Sequence, residues 1–223
     1  MISIASPVIE EEERRAVNEV IESGMLAQGP KVAELEENWA KYCGVKHALA
    51  VNSGTAAIHC ALYAAGVGEG DEVITTPYSF IATINPILML GARPVLVDID
   101  EETFNIDVSK IEAAITDKTK AIIPVDLYGQ PCDWKELREI ADKHELKIIE
   151  DACQAIGAEY DGVKTGALGD FGCFSLYATK NIMCGEGGVV TTNSDDAAAA
   201  IRSFRQHGMT SSYEYADLGY NYR

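Results

Sequence analysis

Short, uninterrupted apolar runs recur along the chain, each set off by glycine, proline or charged residues, with amphipathic stretches between them. The runs at 47–52, 72–76, 94–99, 121–127, 147–151, 172–176 and 188–192 predict β-strands. Strands covered on both faces read as continuous apolar segments rather than as alternating ones. The intervening amphipathic stretches predict helices over 55–65, 80–90, 108–115, 133–144 and 195–206. Two more, over about 9–22 and 30–42, precede the first strand, and Pro30 directly after Gly29 suits a helix's first turn. Strand–helix alternation of this kind predicts an α/β fold: a three-layer α/β/α sandwich around a mostly parallel seven-stranded sheet. The last two strands are joined by a loop too short for a helical crossover, so one of them is expected to run antiparallel. There is no internal repeat and no low-complexity linker. Residues 1–223 read as one large domain with an N-terminal helical segment over about 1–45.

With 47% apolar residues the chain has the material for a sizeable core. Its formal charge of −17, from 35 acidic against 18 basic side chains, would repel a duplex or an anionic membrane. A well-solvated surface shows the same acidity. The N-terminus lacks the basic-then-apolar layout of a signal peptide, and no apolar run approaches membrane-spanning length. The six cysteines (Cys43, Cys60, Cys132, Cys153, Cys173, Cys184) form no C-x-x-C pair, which predicts buried, reduced thiols and a cytoplasmic protein without a metal site. His59 beside Cys60 does not alter this, because adjacent helical residues face different ways. The glycine-rich GVGEGD at 66–71 follows a helix and precedes a strand, the reverse of a dinucleotide fingerprint, and reads as a connecting turn. A nicotinamide-dependent oxidoreductase is therefore disfavoured.

Sheets of this type bind ligands at the carboxyl ends of their strands, and three segments put polar residues there. In VNSGTAAIHCAL a strand ends at Asn52, and Ser53-Gly54-Thr55 opens a helix whose first N–H groups lack internal partners. Such a terminus suits a phosphate, although a Ser/Thr cap alone also explains it. In KIIEDACQAIGA, Glu150 and Asp151 stand where a strand leaves the sheet. A carboxylate there can pair with a protonated ring nitrogen, as the pyridinium of pyridoxal phosphate (PLP) requires, or simply cap a helix. Gln154 would fall on the same side in a helical turn. In FGCFSLYATKNIMCGEGGVVTT a strand leads to Ser175 and then to Lys180, a single lysine in a glycine-bounded loop. A pocket holding that amine would favour a Schiff base, and a solvated loop lysine is the plainer alternative.

Taken in order, SGTAA, PYSFIAT, EDACQAIGA, FSLYATKNIMCGEGG and the closing GYNYR resemble the DegT/DnrJ/StrS family. Its members are fold-type-I PLP enzymes, mostly homodimeric aminotransferases acting on nucleotide-linked keto-sugars in polysaccharide biosynthesis. The resemblance runs from the N-terminus to Arg223. It implies that Lys180 carries the cofactor and moves the substrate proton, that Asp151 pairs with the pyridinium nitrogen, and that Gln154 contacts the ring oxygen. It further implies that Gly54, Thr55 and Ser175 hold the phosphate and that Phe80 stacks on the ring. Asn221 would reach the phosphate of the neighbouring subunit, giving a homodimer with shared sites. The amino donor would be glutamate. Lys180 argues against the family's sugar dehydratases, in which a histidine replaces this lysine. Two departures stand out. Asp126 in PVDLYGQ occupies a position where many members have histidine, and members extend past GYNYR into a C-terminal small domain absent here. A non-catalytic PLP-binding module is the alternative reading that this leaves.

Overall fold

The computed structural model describes residues 5–223; residues 1–4, the start of the expected N-terminal segment, lie outside the described residues. Two helices, α1 (Glu11–Ser23) and α2 (Pro30–Cys43), lead into strand β1 (His47–Val51). There follow α3 (Gly54–Ala64), β2 (Glu72–Thr75), α4 (Asn85–Met89), β3 (Arg93–Leu96), α5 (Val108–Ala114), β4 (Thr119–Ile122), α6 (Trp134–Lys143) and β5 (Lys147–Asp151). After the small hairpin β6 (Glu159–Tyr160) and β7 (Val163–Lys164) come β8 (Phe171–Ser175), β9 (Gly188–Thr192) and α7 (Asp195–Phe204). A second hairpin, β10 (Met209–Ser211) with β11 (Glu214–Tyr215), precedes the final residues. Neither hairpin is signalled by a β-rich apolar run, and both stand apart from the main sheet.

The main sheet has seven strands in the order β1-β9-β8-β5-β4-β2-β3. The pairs β2–β3, β2–β4, β4–β5 and β5–β8 are parallel. Strand β9 runs antiparallel to both β1 and β8, as the short connection requires. Successive side chains of each strand feed opposite faces. Ile149 of β5 and Val190 of β9 join α3 and α7 in one core, whereas Ile148 joins α5 and α6 in a second. Phe174 and Val189 pack against Trp39 and Cys43 of α2 in a third. The result is the expected α/β/α layering. By contrast α1 buries none of its side chains, so the expected N-terminal helical segment is split: α2 belongs to the core and α1 stands outside it.

Two elements depart from the sequence pattern. The helix expected over 80–90 is broken into a 3₁₀ turn, Ile81–Thr83, and the short α4, because Pro86 must sit in a helix's first turn. The strand expected over 121–127 starts earlier and ends at Ile122, just before Pro124. Pro124 cannot donate to a ladder, and its carbonyl instead accepts from Asp151 N at 3.0 Å.

The C-terminal GYNYR segment is fastened beside the end of β1. Asn52 N donates to Tyr222 O at 2.8 Å, and Tyr220 N to Phe204 O at 2.7 Å. Tyr220 and Tyr222 close over the buried His59, whose Nδ1 lies 3.0 Å from Tyr222 Oη. Burial lowers the His59 pKa to about 4, so the ring is neutral at physiological pH. Beneath this segment the buried Arg205 meets Glu36 Oε1 at 2.5 Å and Ala50 O at 2.6 Å. Glu36 Oε1 also accepts from Ala50 N at 2.8 Å. A paired charge of this kind locks α2, β1 and the end of α7 together, and with them the loop that starts at Asn52.

Of the cysteines, Cys43, Cys60, Cys132 and Cys173 are buried as expected; Cys153 is half-buried and Cys184 exposed, and all six are free. Among the described residues no helix is long and apolar enough to cross a membrane.

Candidate active site

The carboxyl ends of β5 and β8 and the start of α3 meet at a cleft of about 470 Å³. Gly54, Thr55, Phe80, Asp151, Gln154, Ser175 and Lys180, each singled out from the sequence, all line it. Asn221 does not. It is exposed beside β1, where its carbonyl accepts from Asn52 Nδ2 at 3.1 Å.

At one end of the cleft, Ser53 caps α3 by accepting from Ala56 N at 3.1 Å, and its carbonyl accepts from Ala57 N at 3.0 Å. The Gly54 and Thr55 amides have no intramolecular partner among the described residues. Two free N–H groups at a helix N-terminus favour an anion through both hydrogen bonding and the helix dipole. The cap and the anion site therefore coexist: Ser53 satisfies the third amide and leaves the first two for a ligand. Gly54 also permits a close approach. A Cβ there would lie 2.9 Å from Ser175 Cβ and 3.1 Å from Cys153 Sγ. Gly54→Ala sets a helix-propensity gain of up to ~1 kcal/mol against overpacking of roughly 1–3 kcal/mol. The expected net result is a lower urea midpoint together with weaker phosphate-ester binding. An unchanged midpoint and affinity would show that the approach is not tight.

Asp151 forms the floor and is 5% exposed. Its Oδ2 accepts from the Thr83 hydroxyl at 2.7 Å and its Oδ1 from Cys153 N at 3.2 Å. Each oxygen keeps a lone pair for a further donor. Gln154 Oε1 accepts from Tyr128 N at 3.2 Å, which orients the amide so that its NH₂ remains free to donate. Phe80 is 71% exposed on the lip, a large aromatic face held out of the core. Lys180 sits half-buried in the turn after β8, its own N–H donating to Tyr177 O at 2.9 Å. Its amine makes no hydrogen bond or ion pair among the described residues. The exposed Glu186, from the glycine-rich end of the same loop, shares the cleft with it.

Asp126 and Glu150 face away from the cleft. Glu150 Oε1 accepts from Gly166 N at 2.7 Å, and Asp126 Oδ1 from Cys132 N at 2.9 Å. The remaining oxygens, Asp126 Oδ2 and Glu150 Oε2, are buried and have no hydrogen-bond partner among the described residues. Burial pushes Asp126 up to about 6 and Glu150 well above the carboxylate range. Asp126 thus belongs to a buried carboxyl pair beneath the sheet end and is not part of the cleft lining.

Ser79 and Thr83 were missed as site residues although both lie in PYSFIAT. An unbroken helix over 80–90 hid their placement. The free helix amides, the buried carboxylate, the free carboxamide NH₂, the aromatic lip and the unpaired lysine fit the phosphate, ring nitrogen, ring oxygen, ring face and aldehyde of PLP.

The chain was compared with known families, curated proteins and solved structures. The profile of the DegT/DnrJ/EryC1/StrS aminotransferase family matches residues 7–223. The chain is 48% identical over 225 residues to the GDP-perosamine synthase of Caulobacter vibrioides, covering 100% of this chain and 61% of that protein. PseC of Helicobacter pylori, an aminotransferase involved in the biosynthesis of pseudoaminic acid, superposes with a TM-score of 0.92 at 35% identity. That match covers 99% of this chain and 61% of PseC. The ntda protein of Bacillus subtilis, solved with bound cofactor PMP, gives a TM-score of 0.90 at 34% identity, over 100% of this chain and 54% of that one. The chain therefore spans 61% of the length of the curated relative, and its sheet is that of a fold-type-I aminotransferase large domain. On the match of its sequence from residue 7 to the last residue, the chain belongs to the DegT/DnrJ/EryC1/StrS aminotransferase family.

Proposed function

We propose that this chain is the cofactor-holding large domain of a PLP-dependent aminotransferase that moves an amino group from glutamate to a nucleotide-linked keto-sugar in the cytoplasm. The observation that carries the reading is the meeting of three features in one cleft: the two free amides of α3, the Asp151 carboxylate and the unpaired Lys180 amine. Bound there, PLP supplies an electron-withdrawing ring that makes a proton on the amino donor's α-carbon removable. The chain's own residues do the rest. The Gly54 and Thr55 amides, with the Thr55 and Ser175 hydroxyls, anchor the phosphate. Asp151 holds the ring-nitrogen proton, so that the ring stays cationic. Gln154 donates to the ring oxygen, and Phe80 covers one ring face. Lys180 Nζ would hold the cofactor's aldehyde carbon and, as a free amine, would accept the proton from the amino donor's α-carbon.

Within one chain Asn221 does not reach the cleft, which suits a role toward a second subunit. The working form on this reading is a homodimer whose sites are shared, each completed by a small domain that the longer relatives' length accommodates. Sugar acceptors are drawn from the relatives, whose names include GDP-perosamine synthase.

The test is a half-reaction. The PLP-loaded chain, mixed with glutamate, is expected to lose its visible absorbance and to release one 2-oxoglutarate per bound cofactor. A loaded chain that shows neither change holds the cofactor without transferring the amino group, the cofactor-binding module of the alternative reading. A chain that takes up no PLP overturns the reading of the site.

A further inference from the structure

Thr83 and Ser79 have no role in the scheme above, yet they form the polar back of the cleft floor. Thr83 is 1% exposed, and its hydroxyl lies 2.7 Å from Asp151 Oδ2. Ser79 Oγ, half-buried, lies 2.8 Å from Thr83 Oγ1. Proton counting sets the direction of both bonds. An ionised carboxylate only accepts, so the single hydroxyl proton of Thr83 goes to Asp151, and the Thr83 oxygen accepts from Ser79. The chain of donors therefore runs Ser79 to Thr83 to Asp151, ending on a charge, where an O–H···O⁻ bond is strongest.

The backbone explains why these residues meet an aspartate so far along the sequence. Thr83 N donates to Phe80 O at 3.0 Å, closing the 3₁₀ turn Ile81–Thr83. This turn presents Phe80 outward to the lip and Thr83 inward to the floor. A regular helix, with about 100° per residue, would put positions 79 and 83 on one face but would carry Phe80 onward with them.

We infer that Thr83, supported by Ser79, is a positioning residue for Asp151: it fixes the carboxylate's orientation and lowers the cost of keeping its charge in a buried site. This rests on the proposed role of Asp151 as partner of the ring nitrogen. Cys153 N holds the other oxygen, so loss of Thr83's hydroxyl leaves the carboxylate tethered on one side and free to rotate. A ring nitrogen facing a rotated carboxylate keeps its proton less firmly. The neighbouring linkage to Lys180 then gains a proton more easily, because the ring opposes a second positive charge less.

The test compares the PLP-loaded parent with Thr83→Val, which keeps the side-chain shape and removes the donor, with Thr83→Ser, which restores the donor without the methyl, and with Ser79→Ala. Retention of PLP against dialysis and the pH titration of the visible band are measured for each. Thr83→Val is expected to bind PLP roughly tenfold more weakly, the scale of one hydrogen bond to a charged group, and to titrate at higher pH. Thr83→Ser is expected to recover both properties, and Ser79→Ala to shift them in the same direction by less. If Thr83→Val does not fold, Ser79→Ala alone decides the matter by the presence or absence of its shift. A Thr83→Val protein with the parent's affinity and titration overturns the inference, and so does a Thr83→Ser protein as impaired as Thr83→Val. A parent without PLP sinks the proposed function and this inference with it, whereas a loaded parent beside an unaltered Thr83→Val sinks the inference alone.

Discussion

Lys180→Ala is expected to abolish covalent attachment of PLP: after borohydride reduction and denaturation, the parent's peptide map should carry the cofactor's mass on the segment containing Lys180, and the variant's should carry none. Proton transfer by a positioned side chain contributes about 10²–10⁴ in rate, so the glutamate half-reaction is expected to fall by at least the lower of these factors. The fold is expected to survive. Lys180 is half-buried, its side chain makes no hydrogen bond or ion pair among the described residues, and only its backbone N–H closes the Tyr177 turn, a bond that alanine keeps. Noncovalent retention of some PLP is expected as well, since the α3 amides, Ser175 and Asp151 are untouched. A reduced adduct on another lysine, or an unaltered one in the variant, would remove Lys180 from the chemistry.

On residues alone Lys180 is ambiguous. Its loop is polar and partly exposed, and nothing within a few positions distinguishes it from a solvated lysine. The residues that share the cleft with it come from the start of α3, from the 3₁₀ turn after β2, and from the end of β5. Such a meeting is a property of sheet order: β8 lies beside β5, and β9 brings β1, with α3 behind it, to their other side. The individual strands were legible because fully covered strands read as continuous apolar runs, and the antiparallel β9 followed from the length of its connection. Ser53-Gly54-Thr55 was legible because cap, glycine and free amides are consecutive. What stayed hidden depended on local breaks or on distance. Pro86 divides a segment whose apolar pattern alone suggests one helix, and that break takes Thr83 to Asp151, 68 positions away. Asp126 and Glu150 were each noticed in sequence, but not as neighbours; only the parallel packing of the chain after β4 against β5 buries them together.

Asp151→Asn should separate binding from turnover. Asparagine matches aspartate in size and keeps an oxygen for Cys153 N or for the Thr83 hydroxyl, so the fold and the phosphate anchor are expected to hold. What is lost, on the proposed role of Asp151, is the negative charge that would face the ring nitrogen. A protonated ring nitrogen in a site with a 5% exposed partner depends on that charge, because burial penalises an unpaired cation. With asparagine the ring nitrogen sheds its proton and the ring draws electrons less strongly. Each interaction that grows as charge develops is worth far more in such a site than in water, and removal of one preorganised group costs on the order of 10²–10³ in rate. The half-reaction is accordingly expected to slow by at least about a hundredfold, while reduced peptide maps still show PLP on Lys180. Asp151→Glu tests the geometry: it restores the charge but lengthens the side chain, so Thr83 and Cys153 N cannot both hold it in place. A partial recovery above Asp151→Asn is the expected outcome. Equal rates for parent and Asp151→Asn would mean that the ring nitrogen is unprotonated in the working site, and the Ser79–Thr83–Asp151 chain would then be holding a carboxylate with no part in the reaction.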